Sequence, residues 1–416
     1  DLLVVGGGPT GLQVAQIAAR AGLTVILAEQ DFECGGTLLG ANVLINDAPP
    51  VVWFASVIGE LAASRNVTLL TGTTAFGIYD HGHAGLLQRL DLQGDKGVVR
   101  QRYWRVHAKH TLLATGAIEQ PLVFEQNDLP GILLAGAVRQ YVNRFAVAAG
   151  RRVAIATNND SAYLAALDLR LAGVEVHALL DSRPMGPKML ADALRERGVE
   201  VHNDAIVLRA GGRRSVQRVG FGTLASDGRV IDRREIECDA LGMSGGWAPT
   251  VHLYSQARGA LAFDDARQCF LPRDATTPLL CAGGVMGLAT LGASFEDAFR
   301  AARLVFERAG LPAAELVRVP EVEEAPVSAA VGDLREVLLE SMIALGERDD
   351  FAASVYLDAV ETGTNSEALR LLAEITGKVW SSPTREGILR TAVGELAAAL
   401  GAERATIELT TDNSKD

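Results

Sequence analysis

Short apolar runs alternate with helical periodicity along most of the chain. Leu2–Val5 is four apolar residues in a row, the pattern of a strand buried on both faces. A helical stretch runs from there to about Ala21, Gly22 ends it, and Thr24–Ala28 forms a second strand. Val51–Ala63 reads as a helix and Val67–Thr71 as a strand. Phe76–Tyr79, Leu86–Leu92 and Arg102–Val106 form a small antiparallel excursion, and the apolar strand Thr111–Ala114 follows it. The next helix starts near Ala135.

A second strand–turn–helix–strand unit then begins: Arg152–Ala156, the turn Thr157–Tyr163, a helix over Leu164–Ala172 closed by Gly173, and Val174–Leu180. Met189–Arg197 reads as a helix, Val199–Ala205 as a strand, and Val216–Thr223 with Arg229–Ile236 as a hairpin-like pair. Ala240–Met243 and Pro278–Ala282 return as strands before a helix over Ser294–Arg308. Beyond the acidic stretch Pro320–Pro326 the pattern is helical. Asp333 and Glu336 make a capping box, Leu334, Val337, Leu338 and Leu345 share a face, and Ser382-Pro383 opens a helix that Gly401 ends.

Strands alternating with helices in this way predict an α/β protein with parallel sheets. The expected architecture is two Rossmann-like dinucleotide-binding folds, the second inserted in the first, with a mainly helical C-terminal tail. The boundaries place residues 1–120 with 240–311 in the first fold, 121–239 in the second, 312–332 in an acidic linker and 333–416 in the tail.

The chemistry is carried by glycines. Gly6, Gly8 and Gly11 give G-x-G-x-x-G between the first strand and its helix. Gly6 permits the tight turn, Gly8 lets backbone approach a pyrophosphate, and Gly11 lets the helix pack close to the sheet. The helix N-terminus faces the anion. Glu29, at the tip of the second strand, is placed to accept hydrogen bonds from both ribose hydroxyls of an adenosine. The expected cofactor-binding set is Gly6, Gly8, Pro9, Thr10 and Gly11; Glu29 and Gln30; Gly35, Gly36 and Thr37; Ala114, Thr115 and Gly116; and Gly283 with Gly284. Gly35 and Gly36 permit a second close backbone approach, Gly116 a sharp turn beside the dinucleotide, and Thr115 offers a hydroxyl. The second unit has Asn158 and Asn159 where glycines would stand. Their side chains impede a phosphate, and Asp160 and Ser161 are expected to cap the helix instead. This reads as a fold kept without its ligand.

Composition narrows the class. The 416 residues, 48% hydrophobic with 5% aromatic, have room for two or three domains and a large core. No apolar run is long enough to span a bilayer, and no signal peptide is visible. The chain opens inside a strand and without a Met, which points to residues upstream. Of the net charge of −12, the part from Pro320 onward carries 19 acids against 8 Lys and Arg, and the part before it 32 against 31. Neither balance suggests nucleic-acid binding. Cys34, Cys238, Cys269 and Cys281 form no C-x-x-C, so no redox disulfide, zinc site or iron–sulfur cluster is expected, and the compartment reads as cytoplasmic. His81 and His83 flank Gly82 without further metal ligands around them, which reads as a solvated turn, and no metal site is expected.

Four strings carry a family resemblance: A-T-G-A-I-E-Q-P-L-V-F at 114–124, V-A-I-A-T-N-N-D-S-A-Y at 153–163, S-G-G-W-A-P-T-V-H-L-Y-S-Q at 244–256, and A-G-G-V-M-G at 282–287. Over residues 1–311 the chain resembles the two-dinucleotide-domain flavoproteins, and more closely the α subunits of heterotetrameric sarcosine oxidases. The resemblance implies NAD in the first fold, a small secondary amine oxidised on a flavin-bearing β-type partner subunit, and FMN at an interface between subunits. It also implies an N-terminal ferredoxin-like domain and a C-terminal folate domain, and this chain shows neither. Flavin sites of the wider group end in G-D after the last strand. Here the pair is Gly283-Gly284, which favours NAD over FAD. The alternatives are an FAD-bearing subunit of an opine-, hydroxyproline- or glycine-oxidising dehydrogenase, whose relatives carry a cysteine cluster absent here, and a non-catalytic dinucleotide-containing scaffold. No residue stands out as a catalytic acid, base or nucleophile.

Overall fold

The computed structural model describes residues 1–90, 100–226, 228–273, 279–312 and 319–324. The expected helical tail and its capping box lie outside the described residues.

Two five-stranded parallel sheets organise the molecule. In the first the order is Leu279–Cys281, His110–Leu113, Leu2–Val5, Val25–Ala28 and Val67–Leu70. In the second it is Ile132–Leu134, Ala240–Ser244, Arg152–Thr157, Glu175–Asp181 and Glu200–His202. Both central strands are buried along nearly their whole length, which is why they read as unbroken apolar runs. The helices Pro9–Arg20, Pro50–Ala63 and Leu291–Ala309 cover one face of the first sheet through Leu12, Ile17, Leu61, Ala298 and Phe306. Its other face packs on the antiparallel meander Thr73–Tyr79, His83–Arg89 and Gln101–His107 through Leu3, Leu70, Leu86 and Val106. The second sheet repeats the plan. Ala135–Phe145, Ser161–Leu171 and Lys188–Glu196 lie on one face, and the meander Ala205–Gly211, Arg218–Leu224 and Val230–Glu237 lies on the other.

Four sequence expectations change. Ala240–Ser244 pairs with Arg152–Thr157 and Ile132–Leu134, so it belongs to the second sheet and the boundary expected at 240 falls one strand too early. It is the counterpart of His110–Leu113 in the first sheet, the strand that returns after each meander. The strand expected over Val199–Ala205 breaks at Asp204, whose φ is +51°, into Glu200–His202 and the first meander strand. The last helix begins at Leu291, three residues earlier than expected, because Thr290 Oγ1 accepts from the Ala293 amide. The acidic linker expected over 312–332 is partly built into the fold. Val322–Glu323 pairs antiparallel with Leu44–Ile45, and the Glu324 carboxylate accepts from the amides of Leu291 and Gly292 at 3.0 and 2.9 Å.

Contacts among the described residues join the folds at more than one place. A two-stranded antiparallel ribbon pairs Ala117–Glu119 with Trp247–Pro249. On a different edge, the buried Asp168 accepts from Asn42 of the first fold and from Asn143 and Arg139 of the second. Asn143 also donates to the carbonyl of Gly40 at 2.9 Å.

Candidate functional site

The helix Pro9–Arg20 starts at the end of the first strand without a side-chain cap and with no acid in its first turn. Pro at the first helical position has no amide to satisfy, and the amides after it point out of the helix end. The surrounding glycines are not interchangeable. A Cβ on Gly6, whose φ is +107°, would stand 2.3 Å from the Ala114 carbonyl oxygen, and one on Gly11 would stand 1.9 Å from that of Gly6. These two glycines are required by the fold. A Cβ on Gly8 would meet no atom of the described residues within 4 Å. The space above Gly8 is open, at a bare helix N-terminus, as an anion seat requires.

Glu29 stands at the edge of this seat and is 8% exposed. Its Oε2 accepts from the Gly7 amide at 2.6 Å and its Oε1 from the Asp31 amide at 2.8 Å. Each carboxylate oxygen keeps a second lone pair for a ligand hydroxyl. Gly7 and Asp31 were missed by the sequence reading. The unbroken Gly6-Gly7-Gly8 run was the available signal for Gly7, because a Cβ there would crowd Cys34 Sγ at 2.9 Å.

The other expected residues gather around the same turn. The Gly35 amide donates to the Gly7 carbonyl at 2.8 Å, and a Cβ on Gly36 would stand 3.0 Å from Gly8 Cα. Ala114 backs Gly6, and Gly284 lies against Gly116, where an added Cβ would come within 3.2 Å of its Cα. Gln30 and Thr37 are exposed beside the turn. Two residues differ from expectation in their side chains. Thr115 Oγ1 donates to the Thr250 carbonyl at 2.8 Å, so its hydroxyl holds the 250 loop instead of being offered to a cofactor. Thr10 is buried against Gly283, with its hydroxyl 3.5 Å from the Ser294 carbonyl, and only its backbone faces the seat. Asp297 is a further unforeseen member. It accepts from the Gly283 amide at 2.8 Å and pairs with Arg300, and so fixes the Gly283-Gly284 turn from the helix behind it.

Cys34 lies under the seat, but burial, with Glu29, Asp31 and Glu33 nearby, pushes its thiol up to about 12. A thiol so protonated is a poor nucleophile. All four cysteines are free and buried. Glu119, on the connecting ribbon, is 6% exposed. Its Oε2 accepts from the Gly136 amide at 2.8 Å, its Oε1 has no hydrogen-bond partner among the described residues, and burial pushes its carboxyl up to about 7. A groove of about 420 Å³ on the second fold, lined by Glu175, His177, Glu200, His202 and Arg234 among others, holds none of the glycine-motif residues. Among the described residues no His, Cys, Asp or Glu cluster could hold a metal, and no helix is long and apolar enough to cross a membrane.

The chain is 40% identical over 295 residues to the sarcosine oxidase subunit alpha of Corynebacterium sp. (strain U-96), covering 69% of this chain and 30% of that subunit. It is 35% identical over 378 residues to the same subunit of Corynebacterium sp. (strain P-1), covering 89% and 38%. The chain thus spans about a third of the length of these curated relatives. The L-proline dehydrogenase structure from P. horikoshii superposes with a TM-score of 0.60 at 20% identity, covering 97% of this chain and 74% of that one, a likeness of fold. The family model for pyridine nucleotide-disulphide oxidoreductases matches residues 1–271. With that match over more than half of its length and across two parallel-sheet folds, the chain belongs to the pyridine nucleotide-disulphide oxidoreductase family.

Proposed function

We propose that this chain is the NAD-binding part of an α-type subunit in a multi-subunit flavoenzyme that oxidises a small secondary amine of the sarcosine type. The observation that carries the reading is the open seat above Gly8, with Glu29 at its edge, in a chain 40% identical to a sarcosine oxidase α subunit. The pyrophosphate lies on the helix N-terminus at Gly8–Gly11, and Glu29 takes the ribose hydroxyls. Gly35 and Gly36 wall one side, and Gly116 with Gly284 the other. NAD is favoured over FAD because the turn after the last strand carries no carboxylate. The nearby Asp297 is already bonded to the Gly283 amide and to Arg300.

When bound, the dinucleotide supplies a ring that accepts or holds a hydride. The residues of this chain bind and orient it. None of those around the seat forms an acid–base pair suited to amine oxidation, and the buried thiols are held protonated. The amine is therefore oxidised on a flavin-bearing β-type partner, with FMN at an interface between the subunits.

Releasing the nucleotide from purified protein and identifying it by mass and absorbance tests the assignment. NAD is the expected product, and FAD would move the chain to the flavin-bearing class of opine- or glycine-oxidising dehydrogenases. Oxygen uptake or dye reduction with a secondary amine tests the partner. Activity is expected only when the flavin subunit is present, and turnover by this chain alone would overturn the division of labour.

A further inference from the structure

The inserted fold repeats the strand–turn–helix–strand plan that holds the first fold's glycine turn. We infer that in this chain the second fold takes no nicotinamide nucleotide, oxidised or reduced, with or without a 2′-phosphate, because its own side chains occupy the seat.

The two folds can be placed in register residue by residue. Val5 pairs with Ala28, one residue before Glu29, and Ala156 pairs with Leu180, one residue before Asp181. By that count Asn159 stands where Gly8 stands, and Asp181 where Glu29 stands. The local geometry repeats as well. The Asp31 amide donates to Glu29 Oε1, and the Arg183 amide donates to Asp181 Oδ1.

The contents of the two seats differ at every point that matters for a nucleotide. Above Gly8 the space is open. At Asn159 it is filled by an amide only 5% exposed. Asn159 Nδ2 donates to Ser244 Oγ at 2.9 Å and to the Ser244 carbonyl at 3.2 Å. Its Oδ1 accepts from the Ser161 amide at 3.1 Å and the Ser161 hydroxyl at 2.6 Å. The helix end that would receive a phosphate thus already has an acceptor. Asp160, expected to cap this helix with its side chain, makes no such bond and pairs with Arg183 at 2.7 Å.

The ribose end is closed by a charge pair. Asp181 is fully buried and accepts from Tyr163 Oη at 2.7 Å and from Arg183 Nη2 at 2.8 Å. NAD needs a free acid here, and a 2′-phosphate needs a free base. The acid and the base are paired with each other, so neither form of the nucleotide finds its partner. Gly186 closes the turn over them, since a Cβ there would stand 2.1 Å from Tyr163 Oη. Resting on the reading that the first seat holds the dinucleotide, redox exchange with that seat then runs to a group outside this chain.

Equilibrium dialysis of the full chain, in the complex with which it purifies, against NADH and NADPH gives the stoichiometry. At most one dinucleotide per chain is expected, and a second equivalent would overturn the inference. Hydrogen exchange of amides 157–164 needs no variant. Unchanged exchange at saturating nucleotide is the expected result, and protection there would overturn closure of the second seat. Exchange of amides 6–12, compared between protein stripped of its nucleotide and protein reloaded with NAD, reads the first seat separately. Unchanged exchange there sinks the assignment of the first site and leaves the second seat's closure standing.

Discussion

The Glu29 carboxylate takes the amide of Gly7, from the middle of the glycine turn, at 2.6 Å. This bond ties the tip of the second strand to the turn after the first. The residue proposed to read the ribose therefore also fixes the glycine turn proposed to carry the pyrophosphate. A hydrogen bond to an ionised acceptor is about twice as strong as a neutral one. Glu29→Gln loses that charge and puts an amide group, with its own donors, where one carboxylate oxygen accepts. The expected result is NAD binding weakened about tenfold, a loss of about 1.4 kcal/mol, with discrimination against NADP reduced. Titration of both nucleotides measures it, and equal binding of NAD and NADP by the unaltered protein would remove Glu29 from this role.

Gly8 and Gly11 should separate in their response to substitution. Gly8→Val is expected to fold, because a Cβ there meets no atom of the described residues within 4 Å, and to carry no dinucleotide. Gly11→Ala places a methyl 1.9 Å from the Gly6 carbonyl oxygen and is expected to destabilise the fold itself, by roughly 1–3 kcal/mol or more. Melting temperature and bound nucleotide, measured on both variants, separate the two effects. Full nucleotide occupancy in folded Gly8→Val would displace the site.

Glu119 should make stability depend on pH. Burial raises its carboxyl from 4.5 to about 7, with the Ser244 hydroxyl and the Gly136 amide pulling the other way. Between those values the folded protein holds a proton that the unfolded chain has released. The stability this contributes is fully present below 4.5 and is lost as pH rises through about 7. At about 1.4 kcal/mol per unit, the loss is on the order of 3 kcal/mol. Glu119→Gln carries no ionisable group, so its stability should be flatter between about pH 5 and about pH 8. Thermal melts of both proteins across that range check this, and parallel curves would contradict it.

The segment before the tail should matter more than an acidic linker would. Glu324 caps the helix Leu291–Ala309 by accepting from two of its first amides. A lost cap costs about 1 kcal/mol. A chain ended after Glu324 is expected to keep its dinucleotide. One ended after Pro320, which also loses the pairing of Val322–Glu323 with Leu44–Ile45, should melt at lower temperature. Glu324→Gln keeps an acceptor and should fall between them. Equal melting of the two truncated chains would show that the cap contributes nothing.

Much of this molecule is local in origin. A four-residue apolar run is too short for a buried helix and fits a strand covered on both faces, so Leu2–Val5 and the Val153–Ala156 run were legible from their own composition. G-x-G-x-x-G was legible because close backbone approach excludes Cβ whatever the distant partners are. Partner choice between distant side chains has no such local cause. Asp297 on the Gly283 amide, Thr115 on the Thr250 carbonyl, Glu324 on the last helix and Arg183 on Asp160 are brought together by the packing of whole elements. The same holds for Ala240–Ser244. An apolar run fits the centre of either sheet, and only the course of the chain after the second meander sends it to the second. The sequence by itself determined two Rossmann-like folds and the glycine turn that opens the first. The tertiary structure decided that the other seat is filled, because an asparagine that blocks a phosphate and one that bonds its own scaffold differ only in what surrounds them.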